Sequence, residues 1–342
     1  MLKTRVCLVT TVKNPGPSFE AFLSYHLATG FERIYVFFDN PNDDAIKTAQ
    51  ALNGVTVIRC DESLRLQYKK VIWTERYESK INKYVEARQR FNAALGRDMA
   101  LTEKFDWIFH IDCDELIYND LNISVGDLLS QVPTEVEQVH CRNFEAVPES
   151  KDIENPFIDM TLFKVNQFEL KPELFKNDIA FDQYFRKAGR QYFASHYQGK
   201  SGARVRADIY PDIHWFVKDT DIKDPLKERL SLNTITVKEL ALYHYPNGGF
   251  TQFLARCELW SKTKATDKAA DPGLEWEAIE AYQSKNQKKL NEIYSKHILF
   301  TDKLGIKKLI LSGFFQRNKK ISQVISQLFK PDTLRKKTSD QK

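Results

Sequence analysis

Cysteine is scarce in this sequence, and the cysteines present are scattered. The chain has 342 residues and five cysteines, none of them in a CxxC pair. An odd number of widely spaced cysteines does not suit a disulfide framework, and it does not supply the paired ligands of a structural zinc site. We therefore expect a protein of a reducing compartment, without zinc.

Long apolar runs are also missing. The longest one near the start, VCLVTTV at residues 6–12, is shorter than the core of a signal peptide. No run approaches the ~20 apolar residues that a membrane-spanning helix needs. We found no internal repeat and no low-complexity block. These absences predict a soluble, cytoplasmic chain.

Acidic residues are scarce at the C-terminal end. From Lys303 onward there are eleven Lys or Arg and two acids, a net charge of +9. Because the whole chain carries +5, the residues before Lys303 carry −4. A mildly acidic body with a basic end argues against nucleic-acid binding by the body.

The residues that are present can form a substantial core, since 42% are hydrophobic and 12% aromatic. Four segments rich in β-branched and aromatic residues are predicted to be strands: 6–12, 34–38, 55–58 and 107–111. Three segments with helical spacing lie between them: 19–27, 43–52 and 79–96. Alternating strands and helices predict an α/β fold with a mostly parallel, Rossmann-like sheet flanked by helices.

Polar clusters stand where three of these strands end. They are Thr10–Asn14, Asp39-Asn40 and Asp112–Glu115. Ligands of open α/β sheets bind at the carboxyl ends of the strands, near a switch in strand order. We therefore expect the three clusters to form one site.

The pattern beyond Gln138 is less regular. A further strand is predicted at 138–147, and helices are predicted within 250–300, at 304–315 and at 321–329. We expect three parts, namely a catalytic domain at 1–250, a helical C-terminal extension at 251–330 and a disordered basic tail at 331–342.

The DCDE cluster that follows WIFHI is the strongest chemical signal. In a continuing strand Asp112 and Asp114 would point to one side, with Cys113 and Glu115 on the other. Two carboxylates on one side suit Mg²⁺ or Mn²⁺, which prefer oxygen ligands and often bridge to substrate phosphates. The alternative is that these acids only cap the next turn.

Four segments together resemble the nucleotide-sugar-dependent glycosyltransferases of the GT-A fold, in particular the DxD-containing family 2-like and family 92-like groups. They are TTVKNPGPSFEAFLSYHLATGFERIYVFFDNPNDD (10–44), WIFHIDCDELI (107–117), GKSGARV (199–205) and HYPNGGFTQFLAR (244–256). The segments occur in the order known from those enzymes. Pro15 and the pair Gly248-Gly249 depart from the usual pattern, and they weaken the inference at the first turn and on the acceptor side.

The resemblance implies roles for several positions. Asp112 would contact the donor ribose or the metal, Asp114 would bind the metal directly, and His244 would complete the metal site. The nucleotide and its diphosphate would be bound by the remaining donor-side residues: Thr11, Lys13, Asn14, Asp39 and Lys200. Lys200 could equally be a solvated surface lysine, and His244 a core histidine.

Other residues are weaker candidates. Arg88 and Asn92, one helical turn apart, either face the donor or form a polar helix face. The pair His214-Trp215 could bind the acceptor, because an indole stacks on a sugar ring, or it could be core. Glu115 is only a weak candidate for the general base. The other candidates for the base are Glu145, Asp159 and Asp182.

The resulting hypothesis is an inverting, metal-dependent hexosyltransferase. It would move a sugar from a nucleotide-diphospho-sugar, most readily a UDP-sugar, to a glycan or lipid-linked acceptor in cell-surface polysaccharide or lipopolysaccharide synthesis. One alternative is a nucleotidyltransferase or pyrophosphorylase, although the turn KNPGPS lacks the glycines of a phosphate loop. The other is a non-catalytic relative that binds nucleotide-sugars.

The basic C-terminal segment allows two interpretations. Its apolar residues alternate with lysines, which is typical of an interfacial helix on an anionic membrane, at the inner face where a lipid-linked acceptor would lie. The favoured interpretation is a helix that packs on the protein, with a solvated basic face.

Overall fold

The chain folds into two compact units. The computed structural model describes residues 3–71, 74–121, 123–218, 231–263 and 274–330. The first unit comprises Met1–Arg142 and Gln198–Leu242, and the second comprises Asn143–Tyr197 and Tyr243–Lys342. The expected basic tail at 331–342 lies outside the described residues.

Strands and helices alternate along the first hundred residues, as the sequence pattern predicts. The described strands are β1 (Val6–Val12), β2 (Arg33–Phe38), β3 (Val55–Arg59), β4 (Trp107–His110), β5 (Glu115–Asn119), β6 (Gln138–Ala146), β7 (Leu162–Lys164), β8 (Lys200–Arg204), β9 (Tyr210–Pro211), β10 (Phe216–Val217), β11 (Thr234–His244) and β12 (Phe315–Arg317). The described α-helices are α1 (Phe19–Ala28), α2 (Ile46–Gln50), α3 (Glu62–Gln67), α4 (Thr74–Tyr77), α5 (Val85–Thr102), α6 (Val125–Leu129), α7 (Pro156–Asp159), α8 (Pro172–Asn177), α9 (Ile179–Phe181), α10 (Phe250–Thr263), α11 (Leu274–Gln283), α12 (Gln287–Ile293), α13 (Lys303–Leu311) and α14 (Lys320–Leu328).

The sheet of the first unit is mostly parallel. Strands β3, β2, β1 and β4 lie side by side in that order and run in one direction. Strand β8 adds to β4 in the antiparallel sense, and the first half of β6 adds to β8. The predicted α/β class is therefore confirmed.

The strand order reverses beside β1. From β1 the chain moves outward to β2 and β3, and it then returns to place β4 on the other side of β1. The carboxyl ends of β1 and β4 therefore flank a topological switch point, which is where open α/β sheets bind their ligands.

Helix α5 is the longest described helix of the first unit and packs against β1. Its residue Gly96 lies so close to the strand that a Cβ there would meet Val9 Cγ2 at 2.8 Å. Phe91 and Ala94 of the same helix join Val9 in a core cluster in which all three are buried. This close approach brings the N-terminal half of α5 to the carboxyl ends of the strands.

The second unit contains antiparallel strand pairs and two core clusters. The last residues of β6 pair with β7, and β7 pairs with β12, both in the antiparallel sense. Leu309, Phe314 and Phe315 are buried in one cluster. The other cluster includes Phe253 and Cys257 of α10, which are four residues apart and lie on one face of the helix.

Two expectations about local structure are wrong. The helix expected at 304–315 ends at Leu311, because Gly313 takes a φ of 81° and the chain continues as β12. The helix expected at 79–96 starts only at Val85 and extends to Thr102. The first helix ends before a glycine in the left-handed region, and the second begins only after Tyr84, whose backbone is extended.

The C-terminal amphipathic segment packs inward. Ile321 and Ile325 of α14 are buried, and the helix lies against α7. Over the described residues, the chain has no helix of the length and apolarity required to cross a bilayer. Membrane contact by the basic segment stays a prediction.

Candidate functional site

Arg88 connects α5 to the end of β2. Its guanidinium donates two hydrogen bonds to the carboxylate of Asp39, from Nε to Oδ1 at 2.6 Å and from Nη2 to Oδ2 at 2.9 Å. Only 5% of the Asp39 side chain is exposed, so this bidentate pair compensates a largely buried charge. Of the two interpretations for Arg88, the structure shows a contact with a strand end.

Asn92, one turn further along α5, connects the helix to the end of β1. Its Nδ2 donates to Thr11 Oγ1 at 3.1 Å, and its Oδ1 accepts from the Tyr68 hydroxyl at 2.5 Å. Asn92 is fully buried. A buried amide with both ends hydrogen-bonded holds its neighbours in one orientation.

Gln89 connects the same helix to the residues after β4. Its Nε2 donates to Asp112 Oδ1 at 2.6 Å. The first two turns of α5 therefore contact all three polar clusters, at the ends of β1, β2 and β4. The three clusters thus contact one helix, and their function as one site stays a prediction.

Lys200 lies at the start of β8, inside the carboxylate cluster. Its ammonium donates to Asp112 Oδ2 at 2.8 Å and to the Ile213 carbonyl at 3.0 Å, and it lies 3.6 Å from Glu115 Oε2. Burial by itself would lower the pKa of Lys200, but the carboxylates of Asp112 and Glu115 raise it above its usual value. Lys200 is therefore a buried cation and not a solvated surface lysine.

Gly199 makes this placement of Lys200 possible. The glycine has a φ of 70°, a conformation that residues with a Cβ rarely adopt. A Cβ at this position would also collide with the carbonyl oxygen of Cys141 on the neighbouring strand. This requirement explains why a glycine precedes Lys200 in the sequence.

The DCDE cluster is a turn and not a strand. Strand β4 ends at His110, and β5 begins at Glu115. Within the turn, the Glu115 N–H donates to the Asp112 carbonyl at 3.1 Å, and the Asp112 N–H donates to Glu115 Oε2 at 2.8 Å. The expectation that strand alternation separates Glu115 from Asp112 is wrong, because the chain reverses between them.

Asp112 and Asp114 are less buried than Glu115, the next acid of the turn. Asp112 and Asp114 are half-buried, whereas Glu115 is fully buried. The turn therefore presents the two aspartates towards solvent and keeps the glutamate inside. This is the arrangement in which Asp112 and Asp114 are accessible to a ligand and Glu115 supports the turn.

The loop after β1 is exposed. Lys13 and Asn14 are both exposed, and the Asn14 N–H donates to Asp43 Oδ2 at 2.6 Å. Asn14 has a φ of 49°, in the left-handed region that asparagine tolerates better than most residues. This turn precedes Pro15, the residue that departs from the family pattern.

His214 and Trp215 line a cavity of about 250 Å³ in the first unit. His214 Nδ1 lies 3.1 Å from the Gly199 carbonyl oxygen, which can only accept a hydrogen bond. Nδ1 of His214 is therefore the donor in this hydrogen bond. The pair lies at a concave surface, but Trp215 also packs against the core cluster of the first unit, and an acceptor-side role stays a prediction.

His244 lies in the second unit and is buried. Its Nδ1 is 3.2 Å from Ser195 Oγ, and its ring stacks on His196 with centroids 4.8 Å apart. Ser195 is itself positioned by Glu145, whose Oε2 accepts from the Ser195 N–H at 2.8 Å. Its assignment as a metal ligand stays a prediction.

The other candidates for the general base have structural contacts. Glu145 is buried and also pairs with Lys164 at 2.7 Å. Asp159 accepts from the N–H groups of Glu154 and Asn155, which orders the start of α7. Asp182 forms surface ion pairs.

Sequence reasoning missed Gln89 and a second contact network on α5. Arg90 pairs with Asp212, and the Asp212 carbonyl is 2.8 Å from His110 Nδ1. The signal for Gln89 was its position between Arg88 and Asn92 on one helix. The signal for Asp212 was absent, since 122 residues separate it from Arg90.

Curated proteins with similar sequences are glycosyltransferase-like. Two proteins of that name from Arabidopsis thaliana are 25% identical to this chain, over 336 and 333 residues. Each match covers 92% of this chain, but only 70% and 62% of the respective relatives. No protein-family model matches the chain.

Solved structures overlap with less than half of the chain. Core-mannan synthase A from Aspergillus fumigatus, in its Mn/GDP form, covers 44% of this chain and 45% of its own at 14% identity, with a TM-score of 0.28. The S. cerevisiae mannosyltransferase Ktr4p with GDP covers 44% and 42% at 12% identity, with a TM-score of 0.25. Overlaps of this size do not support an inference about the function of the present chain.

The sequence relatives confirm the coarse class that the motifs predict. Over nearly its whole length, the chain is similar to two proteins named glycosyltransferase-like. The finer assignments, to a subgroup, a donor and a metal, rest on the site residues and are proposals.

Proposed function

We propose that this protein is an inverting glycosyltransferase that uses a nucleotide-diphospho-sugar donor and a divalent cation. The main observation behind the proposal is that helix α5 forms hydrogen bonds to three strand ends at the switch point of the sheet. Arg88, Gln89 and Asn92 each hold one polar cluster there. Such a rim is where a nucleotide binds in open α/β sheets.

The half-buried carboxylates fit a hard cation. Mn²⁺ and Mg²⁺ take oxygen ligands and are commonly shared between protein carboxylates and phosphates. Asp112 and Asp114 offer such oxygens on a half-buried turn whose inner side is closed by Glu115. When bound, the cation would neutralise the diphosphate of the leaving nucleotide.

The protein's own groups would bind and orient the donor. Thr11, Asn14 and Asp39 lie at the ends of β1 and β2, on the side proposed for the base and ribose. Lys200 adds a buried positive charge beside Asp112, so the cluster is less negative than three acids alone would be. Preorganised charge of this kind stabilises a departing diphosphate without reorganisation.

Inversion requires a base on the acceptor side of the sugar. Glu115 is a proposed candidate, although its burial and its bond to the Asp112 N–H support a role in shaping the turn. His214 and Trp215 are proposed to contact the acceptor glycan. A lipid-linked acceptor and a place at the inner face of a membrane belong to the same proposal.

The experiment is a calorimetric titration of UDP and of GDP into the protein, with and without Mn²⁺. We expect Mn²⁺-dependent binding of one nucleotide, and at least a tenfold weaker affinity for Asp114→Asn, about 1.4 kcal/mol. The nucleotide that binds identifies the class of donor, with UDP as our expectation.

Glu20→Gln is the matched control, because Glu20 is an exposed acid of the same unit, on α1. It should bind like the wild type. Absence of binding for both nucleotides, with a folded protein, would overturn the proposal. Release of pyrophosphate from a nucleoside triphosphate would instead indicate a nucleotidyltransferase, and binding without turnover would indicate a non-catalytic relative.

A further inference from the structure

The cavity beside His214 has a layered wall. Its floor is buried and consists of Gln138, Ser201 and Leu232. Half-buried side chains form the wall, and exposed threonines form the mouth. These wall and mouth residues are His140, Gln198, His214, Trp215, Thr234 and Thr236. All of them belong to the first unit.

The lining has a single chemical character. None of the nine residues is Asp, Glu, Lys or Arg. Amide, hydroxyl and imidazole groups both donate and accept hydrogen bonds, which matches a ligand carrying several hydroxyl groups. Among the described lining residues, a phosphate or a nucleotide diphosphate would find no Lys or Arg to compensate its charge.

The size of the cavity limits the ligand. Sites for drug-sized molecules enclose roughly 300–1,000 Å³, whereas this one encloses about 250 Å³. It is therefore suited to one small ring and not to an oligosaccharide. Trp215 adds an indole to the wall, and the apolar face of an aromatic ring suits the C–H face of a sugar.

The cavity and the carboxylate cluster lie on different faces of the same strand. Lys200 and Ser201 are consecutive in β8, so their side chains point to opposite faces. Lys200 reaches Asp112, whereas Ser201 lines the cavity floor beside His140, whose Nδ1 is 3.3 Å from Ser201 Oγ. The cavity is therefore not part of the proposed cation site.

Two hydrogen bonds nevertheless connect the two places. Lys200 donates to the Ile213 carbonyl, and His214 donates to the Gly199 carbonyl. The segment 213–214 and the start of β8 are thereby held together. A ligand against His214 would lie next to the chain segment that positions Lys200.

We propose that this cavity binds one neutral sugar unit of the acceptor glycan, separate from the unit that receives the transferred sugar. The assignment of this sugar to the acceptor rests on the proposed function. The binding of a neutral sugar does not depend on it. Hydroxyl groups of the ligand bind Gln198, His214 and the threonines of the mouth.

Saturation-transfer difference NMR tests the proposal. The probes are the methyl glycosides of glucose, galactose, mannose and N-acetylglucosamine, with glucose 6-phosphate as a charged comparison. The test variant is Thr236→Trp, which places an indole at the exposed mouth and leaves the floor intact. The matched control is Lys238→Trp, two residues along the same face of β11, exposed and outside the cavity.

We expect at least one neutral glycoside to bind the wild type and Lys238→Trp, with about tenfold weaker binding to Thr236→Trp, equal to about 1.4 kcal/mol. Thermal unfolding confirms that both variants fold. Binding of none of the neutral probes to the wild type, equal binding to Thr236→Trp, or tighter binding of glucose 6-phosphate would each overturn the proposal.

The same samples are titrated with UDP and GDP in the presence of Mn²⁺. Nucleotide binding that persists in Thr236→Trp, while sugar binding is lost, supports the cavity as a separate site. Sugar binding without any nucleotide binding would retain the cavity and remove the proposed transferase function. The failures of the two proposals can thus be told apart.

Discussion

At the scale of single residues, Lys200 is the most consequential side chain of the site. It is buried beside one fully buried carboxylate, Glu115, and one half-buried carboxylate, Asp112. Removal of one partner from a buried ion pair leaves an uncompensated charge, which costs about 3 to 5 kcal/mol. We therefore expect Lys200→Met to lower the free energy of unfolding by that amount, measured by urea denaturation.

The double variant Lys200→Met/Glu115→Gln checks the cause. If the loss comes from the stranded carboxylate, the double variant is more stable than the sum of the two single effects predicts, by at least ~1 kcal/mol. Strict additivity would show that the ammonium does not compensate Glu115.

His26 is a second residue whose environment has a measurable consequence. It is fully buried in α1, its Nδ1 donates to the Phe22 carbonyl, and its Nε2 accepts from the Ile117 N–H at 3.2 Å. Burial lowers the pKa of His26 to about 3. In the unfolded chain its pKa is near 6.5, so between these values the unfolded state binds one proton more than the folded state.

The free energy of unfolding should therefore fall as the pH falls below 6.5, by about 1.4 kcal/mol per pH unit from His26 alone. His26→Gln keeps an acceptor for the Ile117 N–H and removes the titrating group. Urea denaturation between about pH 6 and pH 4.5 should give a shallower slope for this variant. Equal slopes would contradict the neutral, buried state of His26.

At the scale of elements, α5 organises the site through its distance from β1. Gly96 allows the helix to approach Val9, and Arg88, Gln89 and Asn92 consequently reach the strand ends. An alanine at position 96 would gain about 1 kcal/mol in helix propensity. Its Cβ would, however, lie 2.8 Å from Val9 Cγ2, and overpacking of this kind costs about 1–3 kcal/mol.

We expect Gly96→Ala to lower the thermal midpoint in spite of its better helix propensity. Calorimetry measures the change, and Thr102→Ala at the exposed end of the same helix is the control, with an effect within about 0.5 kcal/mol. A higher midpoint for Gly96→Ala would show that α5 can move away from β1 without loss.

At the scale of the whole molecule, the C-terminal segment is part of the folded second unit. Leu309 of α13 is fully buried in a cluster with Phe314 and Phe315 of the β12 region, whereas Leu311 of the same helix is 78% exposed. A chain that ended near Asp302 would lose these core residues. Membrane binding is therefore better tested by substituting exposed lysines than by truncation.

The pair Leu309→Ala and Leu311→Ala measures this contribution. We expect a loss of about 2–5 kcal/mol for Leu309→Ala, because it leaves a cavity, and less than about 0.5 kcal/mol for Leu311→Ala. Chemical denaturation gives both values. Similar values for the two variants would contradict the inward packing of α13.

Local pattern was sufficient for most of the first unit. The strands β1, β2 and β3 lie where β-branched and aromatic residues cluster, and α1 ends shortly before Gly30, which has a φ of 106°. It was not sufficient for the DCDE turn, because the apolar segment WIFHI can precede either a continuing strand or a turn. It was also not sufficient for β12, whose three residues are extended because β7 offers them a partner.

The amino-acid sequence by itself determined the α/β class, the convergence of three polar clusters at one edge of the sheet and the glycosyltransferase-like character, because alternation and motif order are local properties of the chain. Only the tertiary structure decided which groups touch. Gln89 and Lys200 on Asp112, Arg88 on Asp39, and the neutral cavity beside His214 all join residues far apart in sequence. Their distances follow from how closely α5 and β8 approach the strand ends, and that approach depends on packing at Gly96 and Gly199, which no local pattern records.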